Sequence, residues 1–362
     1  MYLALRDIRF AKGRFALMGS VVALITLLLV LLSGLTAGLG NQNTAAVRGL
    51  GTAGMNTVAF GAPDGGSAKV SYSESSVTDA QLDQWRNTPG IDRAEPLGIT
   101  QTRLTGNSSA GVAAFGVEPD SVLSPRPVSD GEVLVGSDVA ESLSLEPGDT
   151  VRLGGQALTV QAVVEPTFYS HTPVVWTSLS TWQEAAHVGD EAAGAAPVAT
   201  VIAASASDDA AGDADAAAGT VSTDIRGSLN GLGAYSSENG SLLMMQAFLY
   251  GISALVIVAF LAVWTIQRTR DVAVLRALGG SSAYLVRDAL AQAGLIVAAG
   301  AVVGGLAAIG AGAVASAAVP FVLSVSTTLL PVLGIVVLGL AGAAGAVRRV
   351  AKVDPLTALG GN

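Results

Sequence analysis

Three long stretches without a charged side chain constrain this chain more than any other feature. Residues 15–40, 242–266 and 289–347 contain no Asp, Glu, Lys or Arg. A helix needs ~20 mostly apolar residues to cross a bilayer, because each residue adds about 1.5 Å against a hydrocarbon core of about 30 Å. The first two stretches therefore suit one crossing each. The third would form a helix roughly 90 Å long, which is enough for two crossings.

Two prolines divide the third stretch. Pro320 and Pro331 lie near its middle, where proline disfavours a continuous helix. The first stretch could instead be a secretory signal peptide, but it is longer than the ~7–15 apolar residues of such a peptide, and further spans follow. The sequence predicts an integral membrane protein with four transmembrane α-helices, over residues 15–40, 241–267, 285–315 and 327–347.

Basic residues cluster at the ends of these predicted spans, and such residues favour the cytoplasmic side. Most of the chain's 19 Lys and Arg residues lie in three short segments, 1–14, 268–287 and 348–352. We therefore expect a multi-pass protein of the cytoplasmic membrane with both termini in the cytoplasm. The expected cytoplasmic parts are an amphipathic N-terminal helix at 1–14, a segment at 268–282 and a tail at 348–362.

Residues 41–240 are then expected to form one extracytoplasmic domain between the first and second spans. This segment holds 8 basic and 24 acidic side chains, so nucleic-acid binding is not expected. Helical and β-rich patterns are mixed in it, which predicts an α/β domain. Predicted strands cover 131–135, 150–153, 157–164 and 173–177, and predicted helices cover 78–87, 137–145 and 178–186.

Two turn signals and one low-complexity segment refine this prediction. Gly154-Gly155 between β-rich runs predicts a two-residue hairpin. Thr78 is a suitable N-cap for the first helix. Segment 203–220 is rich in Ala and Asp, and its composition fits an exposed helix or an unstructured insertion equally well.

No catalytic or metal site is predicted. The chain has no cysteine, which excludes disulfides and thiolate ligands. None of its three lysines follows a glycine, so a G-x-x-x-x-G-K-[ST] phosphate loop is absent. His171 and His187 lie in different predicted elements, so neither offers the other a partner for a catalytic or metal site. We expect His171 to be a loop residue without a specific role. We expect the chain not to be an enzyme and to hold no cofactor of its own.

The segment after the second span carries the most distinctive pattern. Apolar residues recur at every third position from Val272 to Leu278, and a glycine pair ends the run. This predicts a short amphipathic helix. It could be a basic loop at the lipid headgroups, but an acidic residue among arginines favours docking to a cytoplasmic protein. The residues expected to make this contact are Arg268, Arg270, Asp271, Leu275, Arg276, Ala277, Leu278 and Gly279.

This segment resembles the coupling helix of FtsX/MacB-type ABC transporter permeases. The N-terminal Leu-Ala-Leu-Arg-Asp-Ile-Arg at 3–9 and Asp-Pro-Leu-Thr-Ala-Leu at 354–359 are similar to the family's terminal motifs. Residues 132–160 are similar to its extracytoplasmic core. Gly360-Gly361 stands where the family commonly has a basic residue. The resemblance covers essentially the whole chain.

The resemblance implies a permease subunit that works with a separate ABC ATPase. Two ATPase copies would bind ATP and Mg²⁺, and two copies of this chain would form a homodimer, because four spans are few to enclose a pathway. Small residues that repeat every four positions offer packing faces within the bilayer. They are Gly34 and Gly38 in the first span and Gly300 and Gly304 in the third, and the latter pair could serve intrachain packing or the dimer.

The resemblance also suggests a substrate. Some family members export haem, and the outer domain is similar in size to theirs. Uncharged spans argue against a proton or ion pathway and favour an amphipathic or hydrophobic substrate that enters from the bilayer. Haem ligands are expected near the outer end of the second span, with Glu238 the best candidate. The full candidate set is Tyr235, Glu238, Met244, Met245 and Tyr250.

Several of these residues could instead have ordinary structural roles. Glu238 could simply lie near the start of a helix, where the helix dipole favours a negative charge. The methionines and tyrosines could face lipid or pack in the bilayer. Export of a lipid, lipoprotein or peptide by the same mechanical coupling is one alternative function. A signalling complex that activates an extracellular enzyme without transport is the other.

Overall fold

The computed structural model describes residues 12–62, 66–188, 197–267 and 282–351. The chain divides into two compact units. One is Leu39–Asn239, and the other combines Met1–Gly38 with Gly240–Asn362. We call them the outer unit and the membrane unit.

The helices and strands are numbered in chain order over the described residues. The helices are α1 Lys12–Thr52, α2 Asp79–Asn87, α3 Ser137–Leu143, α4 Leu179–Ala185, α5 Asp208–Ala218, α6 Ile225–Ser228, α7 Gly233–Gln267, α8 Ser282–Ala315 and α9 Val325–Ala351. The strands are β1 Thr57–Phe60, β2 Val77–Thr78, β3 Ile91–Thr105, β4 Ser109–Val117, β5 Glu132–Gly136, β6 Thr150–Leu153, β7 Gln156–Val164, β8 Phe168–Tyr169, β9 Thr172–Ser178, β10 Pro197–Ala199, β11 Val201–Ala206 and β12 Val221–Asp224.

Within these described ranges, four helices are long and apolar enough to cross a membrane, as predicted. These segments are Phe15–Thr52, Gly233–Phe260, Arg287–Ala315 and Val325–Gly345. The break in the long apolar stretch falls around Pro320, whereas Pro331 lies inside α9. The hydroxyl of Ser324 caps the start of α9 by accepting a hydrogen bond from the Thr327 N–H at 3.1 Å.

A common core joins helices of the membrane unit. Its buried side chains come from α1, α7, α8 and α9, and they include Met18, Val22, Ile257, Val297, Ala301 and Ile335. Small residues let the helix backbones approach closely, which is how apolar helices associate when lipid is as apolar as they are. Many of the remaining large apolar side chains on α7 are exposed, among them Phe248 and Leu255.

The outer unit is built on a mixed sheet of ten strands. The order is β12-β1-β11-β3-β4-β9-β5-β7-β6, and β8 pairs with the start of β9. The long strand β3 also pairs with β6 through Leu104 and Leu153, so six strands from β3 to β6 close into a ring. Helices α2, α3, α4 and α5 pack against this sheet.

Apolar cores fill both sides of the sheet. One core collects Val112, Val133, Leu153 and Trp182 with the apolar face of α3. Another collects aromatic side chains around Phe115 together with the outer part of α1, from Ala46 to Leu50. A fold of four membrane helices with a mixed α/β domain between the first and the second was predicted, and it is confirmed.

Short-range predictions in the outer unit also hold. Gly154 and Gly155 form the turn between β6 and β7, with Leu153 opposite Gln156. Thr78 caps α2 in a reciprocal capping box with Gln81. Each of these features depends on a few neighbouring residues.

The Ala/Asp-rich segment 203–220 is folded. Residues Val201–Ala206 form β11 between β1 and β3, and Asp208–Ala218 form α5. Ala210, Ala211 and Ala214 on α5 are buried, which leaves its aspartates facing outward or capping neighbouring backbone. The alternative of an unstructured insertion is wrong.

Candidate functional site

The predicted cytoplasmic contact lies outside the described residues. All of its residues, Arg268, Arg270, Asp271, Leu275, Arg276, Ala277, Leu278 and Gly279, fall in the segment 268–281. The terminal motifs at 3–9 and 354–359 also lie outside the described ranges. The coupling role of these residues therefore stays a prediction.

The predicted haem ligands divide between the two units. Tyr235 and Glu238 belong to the outer unit, where Tyr235 packs against the aromatic core. Met244, Met245 and Tyr250 belong to the membrane unit. The two methionines are exposed, and Tyr250 packs against the core of the four helices.

Glu238 is the predicted ligand with the most developed surroundings. Its Oε2 lies 2.9 Å from His171 Nε2 and 3.4 Å from Asn43 Nδ2. The same two nitrogens lie 3.1 Å apart. The side chains of His171 and Glu238 are 30% and 44% exposed, whereas Asn43 is buried. We call these three residues the carboxylate cluster.

Asn43 and His171 were not in the predicted set. His171 was expected to be a loop residue without a role, and it does lie in a turn, but its ring contacts Glu238. The three residues are far apart in the sequence and come from α1, the β8–β9 turn and α7. Their sequence offers no periodic signal that could have brought them together.

The turn that carries His171 is tight. Ser170 and His171 connect β8 to β9 as a two-residue hairpin, and their φ angles are +47° and +62°. Two-residue turns of this kind match the twist of the strands but favour Asn and Gly, because positive φ is costly for other residues. A Ser-His pair here needs support from the rest of the fold.

That support comes from α1 and from the neighbouring core. The Ser170 N–H donates to the Asn43 carbonyl oxygen at 3.0 Å, and the His171 N–H donates to the Gln42 carbonyl oxygen at 3.1 Å. Next to the turn, Tyr169 is buried and meets the rings of Tyr72 and Phe115 edge to face. The turn is therefore fastened to the outer part of α1.

Burial sets the charge state of the tyrosines behind this turn. Burial raises the pKa of Tyr169 well above its usual value, and the nearby Tyr72 raises it further. Burial likewise raises the pKa of Tyr72, against a smaller opposing effect of its hydrogen bond with Ser228. Both phenols stay neutral at physiological pH, so they supply packing and hydrogen bonding but no charge beside the carboxylate cluster.

The carboxylate cluster has one further polar feature. The Asn43 Oδ1 atom is buried and has no hydrogen-bond partner among the described residues. Among the described residues, the side-chain amide of Asn43 makes its hydrogen bonds through Nδ2, on the side that faces Glu238 and His171. Of the three side chains, the Glu238 carboxylate is the hard anionic donor of the kind that suits ferric iron. Within the described ranges, no group of three or more His, Cys, Asp and Glu could hold a metal ion.

The four glycines of the predicted packing faces have neighbours within the membrane unit. A Cβ added to Gly34 would overlap the Phe321 ring, and one added to Gly38 would overlap the Pro320 carbonyl oxygen. Gly300 and Gly304 instead face Gly19, Val22 and Ala23 of α1. Intrachain packing therefore accounts for the close approach at all four.

Comparison with known protein families gives two matches that together cover most of the chain. The MacB-like periplasmic core domain matches residues 15–219, and the FtsX-like permease C-terminal domain matches residues 242–355. The boundary between the matches lies close to the start of α7. The first match alone covers more than half of the chain.

Several curated proteins are similar over the full length. A hemin transport system permease protein, HrtB, of Staphylococcus epidermidis is 23% identical over 367 residues, covering 100% of this chain and 99% of that protein. An uncharacterized ABC transporter permease of Mycobacterium bovis is 25% identical over 373 residues, with the same coverage of both chains.

A solved structure is similar to part of the chain. The periplasmic region of MacB from Actinobacillus actinomycetemcomitans covers 50% of this chain and 92% of that one, at 14% identity and a TM-score of 0.35. On the two family matches, this multi-pass membrane protein belongs to the FtsX/MacB family of ABC transporter permeases.

Proposed function

We propose that this permease exports haem, or a closely similar amphipathic molecule, from the membrane with energy from a separate ATPase. The observation that carries the choice of substrate is the full-length similarity to permeases named for hemin transport. The chain's own chemistry supports it, because a half-exposed carboxylate is present in the carboxylate cluster.

Glu238 is proposed to ligate the ferric iron of the substrate. A carboxylate is a hard anionic ligand that suits ferric iron, and the 44% exposed Glu238 side chain leaves room for approach. Tyr235, Met244, Met245 and Tyr250 remain further candidates for substrate contact. Their phenol and thioether groups offer either ligation or packing against a porphyrin.

The energy source is proposed to lie in a partner protein. Membership of the family implies an ATPase subunit, and the chain has no phosphate-binding lysine loop. We propose two ATPase subunits on a homodimer of this chain, with contact through Arg268, Asp271, Leu275 and Arg276. Both termini would then lie in the cytoplasm, in accord with the positive-inside rule.

Mechanical transmission is the proposed mode of action. Helices α1 and α7 each contribute residues to both units, so we propose that a displacement at the cytoplasmic ends is passed on along these two helices. The substrate would enter from the outer leaflet, because haem partitions into bilayers and the spans are uncharged between their ends. Closure driven by ATP would then expel it.

The test uses the full chain co-purified with its ATPase in lipid nanodiscs. Hemin is titrated in, and its Soret band is followed for wild type, Glu238→Gln and Glu238→Ala. Glu184→Gln is the matched control, because Glu184 is an exposed helical glutamate of the same unit. We expect saturable binding with a shifted band in wild type and in the control, and a lost or altered band in both Glu238 variants.

Unaltered spectra in both Glu238 variants would exclude Glu238 as the ligand. A wild-type complex that binds no hemin would exclude haem as the substrate. ATP-dependent release of a co-purified lipid or peptide would then favour the export of those molecules instead.

A further inference from the structure

Two donors from separate parts of the fold converge on one oxygen of Glu238. His171 Nε2 and Asn43 Nδ2 lie 2.9 Å and 3.4 Å from Oε2. Glu238 lies on α7, Asn43 on α1 and His171 in the β8–β9 turn, so each of these three elements contributes one side chain to the contact.

The geometry suits one hydrogen-bonding pattern. A carboxylate that is ionised can only accept hydrogen bonds, so the tautomer of His171 that fits the 2.9 Å contact with such a carboxylate carries its proton on Nε2. In that tautomer His171 donates its Nε2–H to Glu238, and Asn43 donates from its amide. The 3.1 Å separation of the two nitrogens then results from their common acceptor.

The position of the imidazole is set by the backbone. His171 has φ +62°, and its N–H is fastened to the Gln42 carbonyl oxygen at 3.1 Å. Strained backbone of this kind persists where the surrounding structure imposes it, and it is common at functional sites. The backbone that carries the ring is therefore held in place beside α1.

We propose that His171 is a positioning residue for Glu238. Its Nε2–H holds one carboxylate oxygen, with Asn43 as a second donor, and so orients the carboxylate toward the iron of the substrate. This inference rests on the proposed function, in which Glu238 is the ligand. Partners that orient a metal ligand in this way typically change metal affinity about 10- to 100-fold when they are removed.

The geometry excludes His171 as a second axial ligand in this arrangement. The two axial ligands of a haem approach the iron from opposite faces of the porphyrin. His171 Nε2 and Glu238 Oε2 are in hydrogen-bond contact and cannot enclose a porphyrin between them. The role of His171 is therefore exerted through Glu238.

The experiment again uses the full chain with its ATPase in nanodiscs, with hemin as the probe. His171→Asn is the main variant, since Asn tolerates positive φ but its shorter side chain does not reach Glu238. His171→Gln is the conservative variant, because it restores an N–H donor of greater reach. His187→Asn is the matched control, as His187 also has positive φ, at +54°.

We expect His171→Asn to bind hemin about 10- to 100-fold more weakly than wild type, with the Soret band of the saturated complex unchanged. His171→Gln should recover most of the affinity, and His187→Asn should match wild type. Size-exclusion profiles and thermal unfolding establish that each variant is folded. If His171→Asn is unfolded, His171→Gln is compared with His171→Leu, and the same order of affinities is expected.

Wild-type affinity in His171→Asn would overturn the inference. So would a change of the saturated spectrum in His171→Asn like that in Glu238→Gln, because His171 would then be a ligand itself. Failure of the proposed function has a different signature, in which the Glu238 variants bind hemin like wild type whatever happens at position 171.

Discussion

The indole of Trp182 lies across two paired glycines of the outer sheet, Gly98 on β3 and Gly116 on β4. These glycines are directly opposite each other, and a Cβ on either would overlap Trp182. Trp182 is 3% exposed and belongs to the core that collects side chains from all six strands of the ring. The ring therefore depends on two positions without side chains.

Substitution Gly116→Ala should destabilise the outer unit because the added methyl group displaces the indole. Overpacking of this kind costs about 1–3 kcal/mol, and each kcal/mol lowers the melting temperature by about 2–4 °C in a domain of this size. Gly111→Ala on the same strand is the control, since a Cβ there meets nothing within 4 Å. Equal melting temperatures for the two variants would contradict the packing of Trp182.

Substitution Gly304→Ala tests the packing of α8 on α1. A Cβ at Gly304 would overlap the Ala23 carbonyl oxygen, whereas Gly310 on the same helix has open space. We expect Gly304→Ala to lower the thermal stability of the solubilised chain and Gly310→Ala to leave it unchanged or slightly raised. Loss of dimer with unchanged stability of the single chain would instead assign Gly304 to the contact between copies.

The carboxylate of Asp215 organises the end of α5. It accepts from the Thr220 hydroxyl at 2.6 Å and from the Ser222 N–H at 2.8 Å, while the Trp85 indole donates to Thr220 at 2.9 Å. Asp215→Ala should cost about 1.5–3 kcal/mol, because hydrogen bonds to a charged group are lost.

Asp213→Ala provides the comparison for Asp215→Ala. Asp213 is an exposed residue of the same helix, so its removal should leave stability nearly unchanged. Thermal unfolding and hydrogen exchange over residues 208–224 measure both effects. If hydrogen exchange in Asp215→Ala is no faster than in wild type, Asp215 does not hold this end of the helix.

The proposed ATPase contact predicts a separation of folding from activity. Leu275→Asp and Arg276→Glu should leave expression and thermal stability unchanged but reduce recovery of the ATPase in pull-downs and abolish hemin-stimulated ATP hydrolysis. Arg126→Glu, an exposed charge reversal in the outer unit, is the control. Recovery of the ATPase at wild-type strength with undiminished activity in both variants would contradict the contact.

Some features could be predicted because they depend on neighbouring residues alone. An uncharged run of sufficient length has few structures open to it other than a membrane helix. The Gly154-Gly155 hairpin and the Thr78 cap follow from backbone freedom and one side-chain hydrogen bond. Of the two prolines, only Pro320 lies at the break between helices; Pro331 lies within the predicted span 327–347 and inside α9.

Composition alone did not decide segment 203–220. Its alanines and aspartates suit a helix or an unstructured chain, and the choice depended on what else could cover them. In the folded chain, β11 pairs with β1 and β3, and the alanines on the buried face of α5 pack in the core around Trp85. Those partners lie far away in the sequence.

The sequence by itself determined the number of membrane helices and the place of the outer domain between the first and the second of them, because the length of an uncharged apolar run depends on neighbouring residues alone. That Glu238 is a ligand stays a prediction. Tertiary structure alone decided what surrounds Glu238. Asn43 and His171 reach it from elements 195 and 67 residues away. These contacts form only after the strands have paired in their final order and the β8–β9 turn has bound to α1. A local sequence pattern contains no information about either event.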